Sequence, residues 1–249
     1  MTWVLLRGLT RETRHWGDLP QQLAGLPGVG RVVALDLPGN GVFHAQPSPT
    51  RVHDMVDAAR RQLQAQGVAP PWKLLAMSLG GMVATDWAQQ HPQEVHRLVL
   101  INTSMRPFSS ATERLRPGNW LALALLAARW HDAGYAERTI HRLTCNTTTS
   151  READIAAWVH IRQTAPVSPA NAGRQLLAAA RFSSGPRAPT CPTLVLSSVA
   201  DRLVDPRCSH RLAGAWQAAH HSHPWAGHDL PHDDPGWVCQ QLARWLAGP

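Results

Sequence analysis

Three side chains that could together perform nucleophilic catalysis follow apolar runs in separate parts of the sequence. Ser78 ends the run WKLLAMS, Asp201 ends TLVLSSVAD, and His228 lies in WAGHDLP near the C-terminus. A serine hydroxyl becomes a nucleophile when a histidine takes its proton, and a carboxylate keeps that histidine in the correct tautomer. We therefore expect Ser78 to be the nucleophile, His228 its base and Asp201 the partner of the base.

The residues after Ser78 suggest a sharp turn. The stretch LLAMSLGGM runs from apolar residues through the serine into Gly80 and Gly81, followed by a segment of helical length. The two glycines can simply permit a turn, since glycine adopts conformations that other residues avoid. The same pattern is expected where a nucleophile is held on a strained strand-to-helix turn.

Two of these residues have competitors nearby. Asp205 follows Asp201 by four residues, and His232 follows His228 by four. Asp201 is favoured because it comes directly after an apolar run, whereas Asp205 is predicted to cap a helix that begins at Pro206. The glycine before His228 favours that histidine over His232.

The surrounding pattern predicts a doubly wound α/β fold. Five short runs are apolar on both faces, as strands of a covered parallel sheet should be: WVLLRGL, RVVALDLPG, WKLLAMS, RLVLINTS and TLVLSSVAD. Segments of helical length separate or follow them, at His15–Leu26, Val52–Gln66, Leu79–His91, Pro206–Ala219 and Pro235–Leu246. In such sheets the functional groups gather beyond the carboxyl ends of the strands, which is where Ser78 and Asp201 are placed.

The alternation of strands and helices stops in the middle of the chain. Residues 106–187 contain four helical patterns and no convincing strand, so we predict a helical insertion there, with a core formed by residues 1–105 and 188–249. From residue 105 to 187 there are eleven arginines against five acidic residues, which is most of the net charge of +7. This segment either meets an anionic partner or is an arginine-rich surface in contact with solvent. The sequence has no nucleic-acid-binding motif.

Composition excludes several classes of protein. With 44% hydrophobic and 16% charged residues among 249, the chain is globular rather than disordered. The N-terminus lacks the pattern of a secretory signal, and the most apolar segment, WLALALLAARW, is too short to cross a membrane. The four cysteines lie far apart and are expected to be reduced thiols. We predict a soluble cytoplasmic protein with no membrane partner.

The histidine-rich run near the C-terminus invites a metal interpretation. It contains His220, His221, His223, His228 and His232, but their spacing matches neither HExxH nor a Cys/His zinc pattern. We therefore predict no metal, and no other cofactor.

Four motifs, in order along the chain, make the sequence resemble the α/β-hydrolase superfamily over its whole length. They are DLPGNG, AMSLG around Ser78, SVADRLVDP around Asp201 and AGHDLPHDDP around His228. The order Ser, Asp, His is the order of that family. The chain departs from the family pattern at Ala76 and Ser198, where glycine is usual.

The resemblance also implies an oxyanion hole. Its two donors would be the backbone N–H of Leu79, directly after the nucleophile, and that of Leu9, after the first strand. In the family an HG pair precedes the second donor, and here the pair is Arg7-Gly8. Arg7 could form a structural ion pair or place a cation near the substrate, and the sequence leaves both open.

Residues 106–187 fall where the family has a cap that selects the substrate. Their apolar side chains, including Trp120, Leu121, Leu125 and Trp158, either line an acyl pocket or pack the cap onto the core. The layout and the basic cap are similar to those of pimeloyl-acyl-carrier-protein methyl esterase, whose cap arginines hold an acidic carrier protein. The corresponding candidates for a carrier protein here are Arg138, Arg142, Arg151 and Arg162.

Three functions are therefore open. The favoured one is a serine hydrolase that cleaves a small-molecule carboxylic ester or thioester through an acyl-enzyme. The same fold and triad also serve C–C bond hydrolases, lyases and perhydrolases. A non-catalytic binder on this scaffold is the third, but it would have no need to keep all three catalytic groups.

Overall fold

The computed structural model describes residues 1–248 and has a six-stranded sheet at its centre; residue 249 of the predicted core lies outside the described residues. The strands are β1 (Trp3–Leu6), β2 (Val32–Leu35), β3 (Trp72–Met77), β4 (Val95–Ile101), β5 (Thr193–Ser198) and β6 (Ala219–His223). Their order across the sheet is β2-β1-β3-β4-β5-β6, and each neighbouring pair is parallel. All six carboxyl ends therefore lie along one edge.

Eleven α-helices are described, some of them a single turn. They are α1 (Leu19–Ala24), α2 (Val52–Ala65), α3 (Leu79–Gln90), α4 (Ala111–Arg114), α5 (Trp120–Ala128), α6 (Ala133–Thr144), α7 (Arg151–Thr164), α8 (Pro169–Arg181), α9 (Arg207–Trp216), α10 (Leu230–Asp233) and α11 (Pro235–Ala247).

Helices cover both faces of the sheet, because alternate strand residues point to opposite sides. Leu74 and Ala76 of β3 belong to a buried cluster with α2, α3 and α9. Leu75 and Met77, their neighbours on the same strand, belong to a second cluster with α1 and α11. Two apolar layers explain why the strand sequences are apolar throughout. The predicted doubly wound α/β fold is confirmed.

Two elements differ from the prediction. Strand β6 has the polar sequence AHHSH, and it forms because Leu194–Ser198 of β5 supplies its hydrogen-bond partners at the edge of the sheet. The helix predicted over His15–Leu26 is divided into a short 3₁₀ turn, Thr13–Trp16, and α1. Gly17 separates the two, since its φ of 52° is incompatible with a continuous helix.

The segment between β4 and β5 contains α4 to α8. Within the described residues, the two ends of this segment are joined by one isolated β-bridge, between Arg106 and Ser183. Within residues 1–248 no helix has the length and apolar character needed to cross a membrane. The cytoplasmic location stays a prediction.

Candidate active site

Ser78 occupies the strained turn that its sequence suggested. It joins β3 to α3 with φ 53° and ψ −118°, a combination that non-glycine residues rarely adopt. A Cβ on Gly80 would collide with the carbonyl oxygens of Leu6 and Arg7, and one on Gly81 with the side chain of Thr103. The two glycines therefore let α3 start close against the ends of β1 and β4, which fixes the position of Ser78.

Asp201 and His228 meet although 27 residues separate them in the sequence. The Nδ1 atom of His228 lies 2.7 Å from Oδ2 of Asp201, and both residues are buried. The other carboxylate oxygen accepts hydrogen bonds from the backbone N–H groups of Leu203 and Val204, at 2.8 and 2.9 Å. Both oxygens of the carboxylate thus have partners, and the imidazole presents its Nδ1 atom to Asp201.

The competing residues have other partners. Asp205 lies at the amino end of α9, where its Oδ1 accepts a hydrogen bond of 2.9 Å from the N–H of Arg207. Helix α9 begins at Arg207, so Asp205 caps it from one residue further back than predicted. The side-chain hydrogen bonds from Arg207 lower the pKa of Asp205 to about 2. His232 lies beside Asp154 and not beside Asp201.

The environment of His228 favours its protonated form. Burial by itself lowers the pKa of His228, but the charge and hydrogen bond of Asp201 raise it more, and the net pKa is raised above the ordinary value. Its Nε2 atom makes no hydrogen bond to Ser78 within the described residues. The structure therefore brings His228 and Asp201 together, with Ser78 held at the end of β3, which β4 separates from β5.

The two predicted oxyanion donors have free N–H groups. In residues 1–248 neither the Leu9 N–H nor the Leu79 N–H donates a hydrogen bond to a backbone or side-chain acceptor. Gly8 lies against Ser78, the predicted nucleophile, since a Cβ built on it would be 3.2 Å from Cβ of Ser78. The loop after β1 thus passes directly beside Ser78, as a second donor requires.

A side chain from α8 holds that loop in place. The buried Gln175 accepts a hydrogen bond of 2.7 Å from the Thr10 N–H, next to the Leu9 donor. Its amide nitrogen donates to Asn40 Oδ1 and Ser48 Oγ, both at 3.0 Å, in the loop after β2. Gln175 therefore ties the helical segment to both loops beside the site.

Arg7 forms a structural ion pair, the first of the two alternatives for this residue. Its guanidinium donates two hydrogen bonds to the carboxylate of Asp229, at 3.0 and 2.5 Å, and lies over the ring of Trp16. Both charged groups are buried. Burial alone would raise the pKa of Asp229, but Arg7 holds it below its usual value. The pair anchors the residue that directly follows His228.

Asn102, which sequence reasoning missed, joins three strand ends. It follows β4 with a φ of 45°, and its amide nitrogen donates to the carbonyl oxygen of His228 at 2.8 Å. Its side-chain oxygen accepts from the Ser198 N–H at the end of β5. A signal was available, because an asparagine directly after a buried strand lies at the functional edge of the sheet.

Asp233, a second residue that the sequence did not point to, binds backbone N–H groups from two loops. Its carboxylate accepts hydrogen bonds from the N–H groups of Gly227, Asn146 and Thr147. The loop that carries His228 is thereby fixed to the chain that follows α6. Nothing in the spacing of the sequence pairs these residues.

A cavity of about 520 Å³ lies elsewhere, at the amino end of the sheet. It is lined by residues such as Arg60, Gln64 and Trp72, and Trp72 is the first residue of β3. The chemistry in an open α/β sheet lies at the opposite edge. This cavity is therefore unrelated to Ser78 and His228.

The apolar and basic candidates of the helical segment fall into different environments. Trp158 is buried, whereas Trp120, Leu121 and Leu125 of α5 are exposed and leave much of that helix face uncovered. Arg162, one of the predicted candidates for a carrier protein, is largely buried, and its guanidinium donates to the buried Glu137.

The three remaining arginines do reach solvent. Arg138 makes two hydrogen bonds with Glu152, while Arg142 and Arg151 are exposed and form no ion pair within the described residues. Two of the four predicted arginines are thus available to an anionic partner.

Comparisons with known proteins agree with this fold. A model of the alpha/beta hydrolase fold family matches residues 4–235. The pimeloyl-[acyl-carrier protein] methyl ester esterase of Aromatoleum aromaticum is 41% identical over 102 residues. That match spans 41% of this chain and 36% of the relative, so it covers only about a third of that protein.

Solved structures are similar over nearly the whole chain. An esterase from Thermogutta terrifontis has a TM-score of 0.76 at 22% identity, covering 99% of this chain and 89% of the other. The esterase RhEst1 from Rhodococcus sp. has a TM-score of 0.79 at 20% identity, covering 100% and 90%. At these identities the likeness concerns the fold.

Proposed function

The chain belongs to the α/β hydrolase fold family, and on that premise we propose that it is a serine hydrolase which cleaves a carboxylic ester or thioester through an acyl-enzyme. The observation that supports this most directly is the 2.7 Å contact between His228 and Asp201, at the same edge of the sheet as the strained turn at Ser78. A buried imidazole paired with a carboxylate at the end of the sheet is the base that a serine nucleophile needs.

In the acylation half, the Ser78 hydroxyl attacks the ester carbonyl while Nε2 of His228 takes its proton. Asp201 keeps Nδ1 protonated and stabilises the imidazolium that forms. The N–H groups of Leu9 and Leu79 donate to the negative oxygen of the tetrahedral intermediate. The imidazolium then gives its proton to the departing alcohol or thiol, which leaves Ser78 acylated.

In the second half, water replaces the alcohol. His228 takes a proton from the water as the water attacks the acyl carbonyl, and the same two N–H groups stabilise the second tetrahedral intermediate. The proton returns to Ser78 as the acid leaves. Residues 106–187 would act as a cap that selects the acyl group, with Gln175 linking it to the oxyanion loop.

Hydrolysis of p-nitrophenyl esters from acetate to decanoate tests this proposal. We expect measurable turnover on short or medium chains, and a loss of about four to six orders of magnitude in Ser78→Ala, as disrupted triads show. The exposed Ser183 offers a matched control, since Ser183→Ala removes a hydroxyl far from the site in sequence and is expected to keep full activity.

Two results would contradict the proposal. Equal rates for wild type and Ser78→Ala on every ester and thioester would remove Ser78 as the nucleophile. If a fluorophosphonate labels Ser78 of the wild-type enzyme but the enzyme cleaves only C–C bonds, Ser78 remains the nucleophile and the ester is the wrong substrate class.

We further propose that an ester carried on an acidic protein is a substrate. The aligned relative acts, by its name, on an ester of an acyl-carrier protein. The net positive charge of residues 105–187 and the exposed, unpaired Arg142 and Arg151 support the same class of partner here.

Charge reversal distinguishes binding of a carrier protein from the chemistry at Ser78. In Arg142→Glu/Arg151→Glu we expect kcat/KM on a carrier-bound methyl ester to fall about tenfold or more, because steering by charge is lost. Turnover of free methyl esters should not change. Equal effects on both substrates, or none on either, would exclude docking at these arginines while leaving the triad untouched.

A further inference from the structure

A group of metal-ligating side chains lies outside the proposed triad. His141 and Cys145, one turn apart at the end of α6, and His232 of α10 have ligand atoms within 4.8 Å of one another. Asp154 of α7 lies beside two members of this group, since its Oδ2 is 3.1 Å from Nε2 of His232 and 3.4 Å from Nε2 of His141. Residues of α6, α7 and α10, with Cys145 directly after α6, therefore come together here.

His141 is the least explained member of this group. It is almost fully buried, and within residues 1–248 neither of its ring nitrogens has a hydrogen-bond partner. Leaving a buried polar atom without a partner costs about 1–3 kcal/mol, so such atoms are rare unless another ligand satisfies them. The contact with Asp154 is close but lacks hydrogen-bond geometry. A metal ion between the two side chains would bind the Nε2 atom of His141 and the carboxylate of Asp154 together.

The two distances from Asp154 fit a tetrahedral ion. Bonds of about 2.0–2.1 Å at tetrahedral angles separate two nitrogen or oxygen ligands by about 3.3–3.4 Å. The Asp154 contacts with the two imidazoles, 3.1 and 3.4 Å, are close to this separation. The hydroxyl of Ser150 donates to the same Asp154 oxygen at 2.7 Å, as a supporting hydrogen bond to a ligating carboxylate does.

We propose that His141, Cys145, Asp154 and His232 form a structural Zn²⁺ site. Two imidazoles, a thiolate and a carboxylate are ligands that zinc accepts, and a closed set of four protein ligands is typical of structural rather than catalytic zinc. Cys145 would bind as the thiolate.

The site would join the helical segment to the loop of the proposed base. His232 lies four residues after His228, and the N–H of Asp229 donates to the carbonyl oxygen of Thr144, directly before Cys145. Zinc would therefore fasten α6 and α7 to α10 behind His228. Loss of the metal should loosen this junction and lower thermal stability.

Metal analysis of the full-length protein tests the proposal. After expression with added ZnCl₂ and removal of loose metal by gel filtration, we expect about one zinc per chain by mass spectrometry. Replacement by Co²⁺ should give the visible absorption of tetrahedral cobalt together with a thiolate charge-transfer band. Wild-type protein far below one zinc per chain, with no cobalt spectrum, would overturn the site.

Variants assign the ligands. Cys145→Ser should abolish the charge-transfer band, and His141→Ala should remove most of the zinc, while Ser150→Ala should weaken zinc binding about 10- to 100-fold. Cys208→Ser, at another buried cysteine, and His221→Ala, at an exposed histidine, should keep the wild-type metal content. Zinc that stays at one per chain in folded Cys145→Ser/His141→Ala protein would place the metal elsewhere and overturn the proposal.

Discussion

The side chain of Asn102 holds the backbone of His228. Its amide nitrogen donates a hydrogen bond of 2.8 Å to the His228 carbonyl oxygen, and its oxygen accepts one of 2.9 Å from Ser198. Ser78 is connected to the same strand end, because its N–H donates to the carbonyl oxygen of Ile101. The end of β4 is thus hydrogen-bonded to the proposed nucleophile, to the proposed base and to the strand that precedes the proposed carboxylate, Asp201.

We predict that Asn102→Gly lowers kcat about 10- to 100-fold with little change in KM, because a small displacement of the base costs about this much. Glycine tolerates the positive φ, so the variant removes the amide without straining the backbone. Steady-state kinetics on the best p-nitrophenyl ester would measure the change.

Gln89→Ala is the control for this variant, since Gln89 also donates a side-chain amide hydrogen bond to a carbonyl oxygen, that of Arg187, but at the surface. It should leave kcat unchanged. An Asn102→Gly protein with a lower Tm and a normal kcat would give Asn102 a structural role only.

Asp201 and Asp205 should differ strongly in their effect on activity. Asp201→Asn removes the charge that holds the Nδ1–H tautomer of His228, and we expect kcat to fall about 10⁴-fold, as in other triads. Asp205→Asn changes the cap of α9 and the contacts of Asp205 with Arg207 and Arg116, so kcat should stay within about twofold of wild type. Similar losses in both variants would contradict the assignment of the carboxylate.

The pH profile should follow His228. Its neutral form is the base, so kcat/KM should fall as the pH drops through the pKa of His228 in the free enzyme. Because Asp201 raises that pKa despite burial, the midpoint of the acid limb should lie above the ordinary value of 6.5. A midpoint clearly below 6.5 would show that the raised pKa does not control the reaction.

The buried pair of Arg7 and Asp229 should stabilise the fold. Arg7→Leu leaves the Asp229 carboxylate buried without a partner, and we expect it to cost about 3–5 kcal/mol of unfolding free energy near neutral pH. Denaturant unfolding would measure this. In Arg7→Met/Asp229→Leu most of the loss should be recovered, because no charge is then left unpaired.

The pH dependence of that loss has a definite sign. In wild type the pKa of Asp229 is lowered, so the pair contributes stability above the unfolded pKa of about 3.9 and loses it as the pH falls further. In Arg7→Leu burial raises the same pKa, and protonation at mildly acid pH relieves the unpaired charge. The difference between the two proteins should therefore shrink as pH falls, and a constant difference would exclude this explanation.

Most of the fold could be predicted from the sequence because its signals are local. Apolar runs of strand length, helical spacing and the glycines after Ser78 each depend on a few neighbouring residues. Strand β6 escaped prediction since AHHSH has no apolar pattern, and only its hydrogen bonds to β5 make it a strand.

The sequence by itself also identified Ser78 and Asp201 as candidates, because residues that directly follow strands must lie at one edge of a parallel sheet, and His228 by its place in the order Ser, Asp, His. Which side chains meet there was decided by the tertiary structure. Arg7 pairs with Asp229 across 222 residues, and Asn102 reaches His228 across 126. The group formed by His141, Cys145, Asp154 and His232 arises in the same way. Contacts between distant loops depend on how the helices pack onto the sheet, and no local pattern records that packing.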